Sequence, residues 1–439
     1  MDVQKRHARL TNFLVNFTVA ATAFSSLLAV SSLSGCGKNA ETSKTSSLRA
    51  VNVAPESGTL NFVVDDATTN LQTGVAYKTS TGYSTVANGA RRIRVSSSSG
   101  VILDQSVNAV SNERQLLVVY GGTSSVGMSL LNNDISNSAS GNTKFRLINY
   151  AVGLGLYDVY VVGTGIDYNT VEPIARNTAS VTYEVIAGTY GIVLTTPNTK
   201  DVLFKMPARA LAAQQAYNLA LFNEGSGELP SAFWLKQSDD TAPEFISNPV
   251  ARVRAANSQP TVASVNVSVD GTRIFTSVPF GGVSNYAHTT SGTKVISYTD
   301  TSNAANTYVL NDTFNSAGDY STFLSINPAD NSLGIFRVAD KIFPPTSGKV
   351  RVRLVNASTL ANLSLALAFT AVTPTVATRA ASNYVEVTGG LGTPVTITQG
   401  AAATPVMSLA GTDLVAGGSY SIVVSGTATT LLLTPRQDK

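Results

Sequence analysis

The stretch SVNVSVDG, residues 264–271, alternates valine with short polar residues. Because successive side chains of a β-strand point to opposite faces, its three valines fall on one face and the polar residues on the other. The pattern therefore predicts a strand that is buried on one side. The Asp270-Gly271 pair that ends the stretch predicts a tight hairpin turn, since glycine tolerates a positive φ.

Three other segments occupy the equivalent position in a repeat: TLNFVVDD (59–66), LYDVYVVG (156–163) and NLSLALAF (362–369). Each copy follows a short opening that contains an arginine and ends in asparagine. These openings are LRAVN (48–52), FRLIN (145–149), VRAAN (253–257) and VRLVN (352–356). Their arginines are 97, 108 and 99 residues apart, which is the size of a small domain rather than of a solenoid unit. The sequence therefore predicts four homologous domains.

Two further positions keep their place through the repeats. One begins the segments YSTVANG, YEVIAG, YAHTTSG and YVEVTG, at Tyr83, Tyr183, Tyr286 and Tyr384. The other begins a late apolar strand, at Tyr217, Tyr320 and Tyr420, with Gln115 at that place in the first repeat. A tyrosine at the start of a late strand is typical of the tyrosine corner of a Greek-key sandwich, in which the hydroxyl bonds to nearby backbone. An ordinary half-buried tyrosine is the alternative.

The composition favours an all-β fold. Charged residues make up 13% of the 439-residue chain and hydrophobic residues 43%, and the abundant β-branched and small residues suit short strands and turns. About seven strands per repeat, separated by turns rich in Gly, Asn, Asp and Pro, predict tandem immunoglobulin-like antiparallel β-sandwich domains, about four in number. The segment PARALAAQQA, residues 207–216, is the best helical candidate and predicts a turn or two of helix.

With these openings, tyrosine segments and closing strands, residues 48–435 resemble the domain-of-unknown-function family 4397. The resemblance implies a sandwich fold and a bacterial cell-envelope or secreted location, and it transfers no active residue. The predicted boundaries are a signal peptide at 1–35, a flexible tether at 36–47, and sandwich repeats at 48–140, 141–245, 246–343 and 344–439.

The amino terminus has the organisation of an export signal. MDVQKRHAR (1–9) supplies positive charge, and FTVAATAFSSLLAV (17–30) is an apolar stretch of the length found in signal peptides. A retained transmembrane anchor is the alternative, although Asn12 and Asn16 interrupt the residues before the apolar stretch.

The segment Leu33-Ser34-Gly35-Cys36 resembles a bacterial lipobox, in which the cysteine is acylated and becomes the mature amino terminus. A thiolate is the one side-chain group nucleophilic enough to accept the lipid. The resemblance implies that the membrane is a partner through the lipid anchor, and Gly37 at the second mature position favours the outer membrane. A free thiol or a disulfide between chains is the alternative for this single cysteine.

Histidine is scarce in this sequence. His7 lies in the predicted signal peptide, so His288 is the one histidine of the predicted mature chain. A catalytic triad or a histidine metal site would need it, and an ordinary surface or edge position is the preferred interpretation. The acidic pairs Asp65-Asp66 and Asp239-Asp240 and the segment NPADNSLG (327–334) lack the spacing of a calcium loop. We therefore predict no catalytic residue, no metal, no cofactor and no enzymatic activity.

The densest basic cluster of the predicted mature chain is Arg91, Arg92 and Arg94 in GARRIRV. A solvated strand face is the preferred interpretation, and contact with anionic lipid headgroups or lipopolysaccharide is the alternative. For Trp234, the sole tryptophan, we prefer packing at a domain junction to stacking on a sugar ring. Removal of residues 1–35 lowers the formal charge from +3 to +1, which is not the footprint of a nucleic-acid-binding protein.

These features predict an exported, lipid-anchored envelope protein with a structural or interaction role that resembles adhesion. The alternative is a surface lipoprotein that binds a glycan or a peptide through loops at the ends of its sandwiches. An envelope protein or a glycan is the expected kind of partner, and the ligand-binding residues are unknown.

Overall fold

The computed structural model describes residues 44–439, apart from 67–70, 123–125, 133–135, 137, 178–179, 225–226, 238–239 and 401–404. In that part of the chain, eight β-sheets stack in pairs into four sandwiches, and the one helical element is a 3-10 turn at Tyr168–Thr170. The predicted all-β fold of tandem β-sandwich domains is confirmed. We number the sandwiches as domains 1 to 4 in chain order.

Domains 1 and 2 hold the first half of the strands. Domain 1 consists of β1 (Thr45–Val53), β2 (Leu60–Val64), β3 (Gln72–Val75), β4 (Thr79–Ser80), β5 (Ser84–Ala87), β6 (Gly89–Ser97), β7 (Gly100–Ala109), β8 (Arg114–Tyr120) and β9 (Gly127–Asn132). Domain 2 consists of β10 (Asn142–Asn149), β11 (Tyr157–Gly163), β12 (Ala175–Asn177), β13 (Val181–Ile186), β14 (Gly188–Thr195), β15 (Val202–Leu211), β16 (Ala216–Asn223), β17 (Pro230–Lys236) and β18 (Glu244–Ile246). Strand β1 thus begins inside the stretch 36–47 that was predicted as a tether.

Domains 3 and 4 hold the remaining strands. Domain 3 consists of β19 (Val250–Asn257), β20 (Ser264–Val269), β21 (Thr272–Pro279), β22 (Ala287–Thr290), β23 (Gly292–Asp300), β24 (Thr307–Phe314), β25 (Asp319–Ile326) and β26 (Leu333–Ala339). Domain 4 consists of β27 (Lys349–Ser358), β28 (Leu363–Leu367), β29 (Thr370–Ala371), β30 (Ala380–Ala381), β31 (Val385–Thr388), β32 (Gly390–Gln399), β33 (Pro405–Leu414), β34 (Ser419–Thr427) and β35 (Thr430–Gln437).

All four domains share one topology. A first-strand sheet contains the opening strand and the two late strands, as in the order β22-β19-β25-β26 of domain 3. A second-strand sheet contains the alternating strand of each repeat, as in the order β21-β20-β23-β24. The immunoglobulin sandwich instead groups its strands as ABED and CFG. The four domains therefore share the two-layer architecture of that fold and have a strand order of their own.

One strand pair in each first-strand sheet is parallel. The pairs are β1 with β8, β10 with β16, β19 with β25, and β27 with β34. The expected antiparallel pairing holds for the other ladders and not for these. Parallel neighbours need a long crossover, and the whole second-strand sheet lies between the two strands in the chain and supplies it.

The alternating strand has the predicted orientation. In domain 3, Val265, Val267 and Val269 are at most 5% exposed and pack in the core between the two sheets. The turn after them places Asp270 and Gly271 at φ 49° and 79°, the left-handed region that the Asp-Gly pair favours. The face and the turn that SVNVSVDG predicted are both confirmed.

The tyrosine corner is also confirmed. The hydroxyls of Tyr217, Tyr320 and Tyr420 each accept a hydrogen bond from the backbone N–H five residues upstream, at 3.2, 2.7 and 3.0 Å. In domain 1 the side-chain oxygen of Gln115 accepts the equivalent bond from the N–H of Val110, at 2.9 Å. Each domain therefore satisfies the same backbone donor at the same corner.

The helix expected at residues 207–216 is not formed. Strand β15 extends to Leu211 along β14, and a short turn leads into β16 at Ala216. The alanines and glutamines of this segment have good intrinsic helix propensity, but Phe204 and Met206 at the start of the same strand are buried in the core of domain 2. Tertiary packing thus overrides local preference.

The first-strand sheets are buried on both faces because the domains pair through them. Strand β19 is buried at all eight of its residues. The outward faces of β1 and β8 meet those of β10, β16 and β17 in one apolar cluster that joins domains 1 and 2. A second cluster, which includes Phe323 and Val423, joins domains 3 and 4 in the same way. The chain therefore forms two domain pairs.

The two pairs also contact each other. Gly153 of domain 2 lies beside Pro344 in the segment between domains 3 and 4, and a Cβ at this glycine would come within 2.7 Å of the proline ring. Gly153 also has a φ of 83°, which favours glycine. Leu229, Val250 and Ala317 form a small apolar cluster between domains 2 and 3.

Candidate functional site

The most concentrated group of buried charges lies between domains 3 and 4. It contains Arg254, Asp340, Arg353 and Asp438, whose side chains are at most 2% exposed. Arg254 and Arg353 are the arginines of the third and fourth openings, on β19 and β27. The two aspartates follow the last strand of each domain. We call these four residues the clasp.

Each arginine of the clasp crosses to the aspartate of the other domain. Arg254 of domain 3 pairs with Asp438 of domain 4 at 2.6 Å, and Arg353 of domain 4 pairs with Asp340 of domain 3. Within domain 3, Arg254 lies farther from Asp340, at 3.7 Å. The exchange is reciprocal, as in the interface of a symmetric dimer.

Hydroxyl groups hold each aspartate from its own domain. In domain 3, Tyr286 and Ser321 donate to Asp340 at 2.5 and 2.6 Å. In domain 4, Tyr384 and Ser421 donate to Asp438 at 2.6 and 2.8 Å. The same serines accept bonds from Nε of the arginine on the neighbouring strand, at 2.6 Å for Arg254 and 2.8 Å for Arg353. The buried charges are thus paired and hydrogen-bonded, as buried ions must be.

Two of the repeated tyrosines also lie against the arginines. The guanidinium carbon of Arg254 is 4.8 Å from the ring centre of Tyr286, and that of Arg353 is 4.6 Å from that of Tyr384. Tyr83 of domain 1 stacks in the same way under Arg49, at 4.2 Å. These are cation–π contacts in a desolvated setting, where they are strongest. Tyr183 of domain 2 is different, because it faces the core and stacks on Phe145.

Burial and charge shift the ionisation of the clasp in opposite directions. Burial disfavours the charged carboxylate of Asp340, but Arg353 and Arg254 outweigh it and hold its pKa below the ordinary value. Burial, together with the nearby Asp340, raises the pKa of the Tyr286 hydroxyl well above its usual range. The aspartate is therefore a charged acceptor and the tyrosine a neutral donor.

The pair of domains 1 and 2 uses the same arginines with different acceptors. Arg49 of domain 1 donates to the backbone oxygens of Asp240 and Thr241, at 2.7 and 2.5 Å, in the segment after β17. Arg146 of domain 2 donates to the side-chain oxygen of Asn218 at 2.9 Å and to the backbone oxygen of Asn132. In all four domains, the arginine of the opening therefore reaches the last residue of a late strand of its pair partner, or the segment just after that strand.

The repeats of the sequence correspond to a known family. A family model described as a domain of unknown function, DUF4397, matches residues 46–160 and 251–366. The chain belongs to this family. Each matched range begins at the opening strand of domain 1 or domain 3 and ends within the next domain. The DUF4397 matches thus start once per domain pair.

Solved structures match the DUF4397 chain only at low scores. One is described as α-glucan binding by a streptococcal virulence factor, at 9% identity and a TM-score of 0.16, and the match covers 40% of this chain and 93% of that one. Another is a candidate cell adhesion protein from Bacteroides fragilis, at 13% identity and a TM-score of 0.15, covering 51% of this chain and 97% of that one. At such scores neither supports a functional argument. No curated protein matches this DUF4397 chain.

A third structure is a product complex of the multi-modular glycogen-degrading pneumococcal virulence factor SpuA. Its identity is 9% and its TM-score 0.16, and the match covers 83% of this chain and 38% of that chain. Its score is also too low to support an argument about function.

A second charged group lies where domains 2, 3 and 4 of the DUF4397 chain meet. Arg252 pairs with Asp319 at 2.6 Å and with Glu228 of domain 2 at 2.9 Å. Glu228 also pairs with Lys439 of domain 4 at 2.8 Å. Burial disfavours the charged form of Glu228, but Arg252 and Lys439 outweigh it and lower its pKa. This group joins the two domain pairs.

His288 lies beside this charged group on β22, opposite Arg252 in the neighbouring strand. It is partly buried, and its Nε2 has no hydrogen-bond partner. Burial, followed by the positive charge of Arg252, lowers the pKa of the imidazole, so the neutral form is favoured. The surroundings of His288 therefore fit an edge position at a domain junction. Among the described residues, no group of histidine, cysteine, aspartate and glutamate side chains is arranged to hold a metal ion.

The basic cluster of domain 1 is neutralised by carboxylates. Arg91 pairs with Asp65 at 2.7 Å, and Arg92 pairs with Asp104 at 2.6 Å. Arg92 and Arg94 both reach Asp66, so they share a face as their spacing predicted. The acidic pair Asp65-Asp66 thus serves as the counterion of the cluster. A free cationic patch for anionic lipid is not present at this place.

Trp234 is buried in the core of domain 2 and stacks on Tyr217, with 4.8 Å between ring centres. Its neighbours Phe233 and Leu235 point the other way, into the junction with domain 1. The expectation of junction packing was therefore wrong by one residue, since adjacent side chains of a strand alternate between faces. With 8% of its surface exposed, Trp234 is not available to stack on a sugar.

Three other predicted features lie elsewhere. NPADNSLG forms the hairpin between β25 and β26, and the carboxylate of Asp330 accepts bonds from Ser332 within that loop. The lipobox, Leu33 to Cys36, lies outside the described residues, as does Asp239. No helix in the described part of the chain has the length and apolar character to span a bilayer.

The role of the opening arginines was not predicted from the sequence. The arginines were used only to align the repeats, although the sequence contained a sign that they are buried. A charged residue that recurs within a short apolar opening, as in VRLVN (352–356), indicates a buried ion with a partner. The identity of that partner, which lies in another domain, could not be read from the repeat itself.

Proposed function

We propose that this protein is a lipid-anchored, non-catalytic component of the cell envelope, with a structural or interaction role. The observation that carries the proposal is the clasp. The arginines that the repeats share bind neighbouring domains, and in domains 3 and 4 they pair with buried carboxylates. Residues used in this way fix neighbouring domains to each other. Domains joined in this way are suited to presenting an interaction surface away from the membrane.

The anchoring part of the proposal rests on Cys36. The cysteine follows an apolar segment and precedes a short polar stretch that leads into β1 at Thr45. An acylated Cys36 would place domain 1 within roughly 30 Å of the bilayer, since an extended chain spans at most about 3.5 Å per residue. Gly37 favours the outer membrane, and the mature chain would face either the periplasm or the exterior.

Metabolic labelling with palmitate tests the anchor. The wild-type protein should incorporate label, and Cys36→Ala should not. A matched control adds Ser43→Cys to the Cys36→Ala variant, which restores a thiol to the same polar stretch outside the lipobox. That control should stay unlabelled, because processing requires the preceding Leu33-Ser34-Gly35. Equal labelling of wild type and Cys36→Ala would refute the anchor.

The interaction role has separate tests. Protease treatment of intact cells should degrade domains 1 to 4 if they face outward and spare them if they face the periplasm. Binding to a glycan or peptide array above background would assign the function to ligand recognition by loops at the sandwich ends. Steady turnover on a panel of chromogenic substrates would contradict a non-catalytic role.

A further inference from the structure

The turn between β28 and β29 is unusual for its sequence. Leu367 pairs with Thr370, so the turn consists of Ala368 and Phe369, with φ of 44° and 66°. Two consecutive left-handed residues define a type I′ turn, which favours Asn-Gly or Asp-Gly. The matching turn of domain 3 has Asp270-Gly271 in the same conformation. Domain 4 therefore has a methyl and a benzyl group where the backbone favours glycine.

Phe369 is also the most exposed large apolar side chain in the described part of the chain, at 85%, followed by Leu391 at 79%. The two lie at the same end of domain 4. The N–H of Ala368 donates to the oxygen of Pro394 at 2.9 Å, and Leu391 lies three residues away along that strand. At about 3.3 Å per residue, Leu391 is roughly 10 Å along the strand from Pro394. Val415, 54% exposed, follows β33 at the same end.

We call Phe369, Leu391 and Val415 the apolar tip. The segments that form the tip contain few charged residues. Residues 359–378 and 387–412 contain no charged residue, and the carboxylate of the next residue, Asp413, accepts a bond from the N–H of Gly392. The equivalent sheet and turn of domain 3 carry Asp270, Arg273, Lys294, Asp300 and Asp312. The low charge of this sheet and turn therefore distinguishes domain 4 from domain 3.

We propose that the apolar tip inserts into the interface of a lipid bilayer. Hydrocarbon favours exposed phenylalanine and leucine and strongly disfavours charge, so the insertion would be shallow, with Phe369 foremost. Asp413, hydrogen-bonded beside Leu391, and Lys349, hydrogen-bonded to Thr388, would stay at the level of the headgroups. The proposal rests on the proposed function in one respect: a lipid anchor at Cys36 would hold domain 4 near a bilayer. The tip would then be a second, reversible contact with that membrane.

Vesicle flotation tests the proposal without the lipid anchor. The chain from Gly37 to Lys439, which lacks Cys36, is mixed with phosphatidylcholine vesicles. The wild type should float with the vesicles at high salt as well as low. Phe369→Ser should lower the partition coefficient roughly tenfold, as expected for loss of one apolar contact. Val309→Ser is the matched control, because Val309 is 56% exposed on β24 of domain 3 and lies outside the tip.

A second variant separates binding from folding. Glycine tolerates the positive φ at this position, so the Phe369→Gly variant should have a Tm no lower than that of wild type. The variant should nevertheless no longer float with the vesicles. Phe369→Trp should show an emission shift to the blue and quenching by brominated lipid, over a constant background from the buried Trp234. The proposal is overturned if wild type stays with the free protein at all lipid concentrations, or if Phe369→Gly floats like wild type. If the wild type is a dimer and Phe369→Gly is a monomer, the proposal is also overturned, because the tip then binds a second copy of the chain. Because Cys36 is absent throughout, none of these outcomes depends on lipidation.

Discussion

The clasp makes a quantitative prediction for Asp340→Asn. The change removes one of two buried negative charges and leaves Arg353 without its ion-pair partner, although Ser421, the backbone oxygen of Ala339 and the ring of Tyr384 still contact the guanidinium. Removing one partner of a buried ion pair costs about 3–5 kcal/mol, because the other charge stays buried and unpaired. For domains 3 and 4, together about 190 residues, each kcal/mol corresponds to about 2–4 °C in Tm. The expected decrease is therefore roughly 6–20 °C.

Differential scanning calorimetry of the chain from Gly37 to Lys439 measures this decrease. Trp234 emission, followed in parallel, reports domain 2 and separates local unfolding from global unfolding. Asp104→Asn is the control, since it removes a solvent-exposed carboxylate paired with Arg92 and should leave Tm unchanged. If Asp340→Asn lowers Tm no more than Asp104→Asn, the clasp does not hold domains 3 and 4 together and the reasoning fails.

The same variant has a pH signature. The pKa of Asp340 is lower in the folded protein than in the unfolded chain, so the stability it contributes is fully present above the unfolded value near 3.8. That contribution is lost as the pH falls through the lower, folded value. The difference in Tm between wild type and Asp340→Asn should therefore shrink in strong acid and stay constant at neutral pH.

Three further changes test other parts of the structure. Val267→Asp places an unpaired charge in the core of domain 3 and should cost several kcal/mol, roughly 3–5, so an unchanged melting curve would place Val267 on the wrong face. Tyr320→Phe removes the corner hydrogen bond and should cost about 1 kcal/mol in urea denaturation, and a stability equal to wild type would deny the corner any role. The pKa of His288 is lowered by burial and Arg252, so the folded state binds fewer protons and wild type should lose stability as the pH falls below about 6.5. His288→Gln should lose less between pH 7 and pH 5, and parallel Tm profiles would contradict the assignment.

The sequence predicted those parts of the fold that depend on local pattern. Val265, Val267 and Val269 alternate with polar residues, and their burial followed directly from the period of a strand. The openings could not be interpreted in this way, because β19 is buried on both faces and its sequence, VARVRAAN, does not alternate. One face packs in its own domain and the other against the pair partner. The position of that partner depends on contacts about a hundred residues away in the chain.

The candidate sites show the same limit. The clasp joins residues such as Arg254 and Asp438, which are brought together only by domain pairing. The apolar tip was visible in NLSLALAF as the end of an alternating strand, but the exposure of Phe369 follows from the turn that the backbone adopts there. The helix predicted at residues 207–216 was wrong for the opposite reason: the local preference for helix was strong, but the tertiary environment favoured a strand.

The reciprocal exchange in the clasp has a consequence for how such chains can grow or shrink. Two domains that trade arginines for aspartates behave as a dimer whose subunits have been joined end to end, so the natural unit of duplication is two. A relative with an odd number of domains would display one apolar sheet with an arginine and an aspartate that lack counterparts. We expect the unpaired domain of such a chain to pair with the unpaired domain of another molecule. Lengths that change by about two hundred residues at a time would leave every face covered.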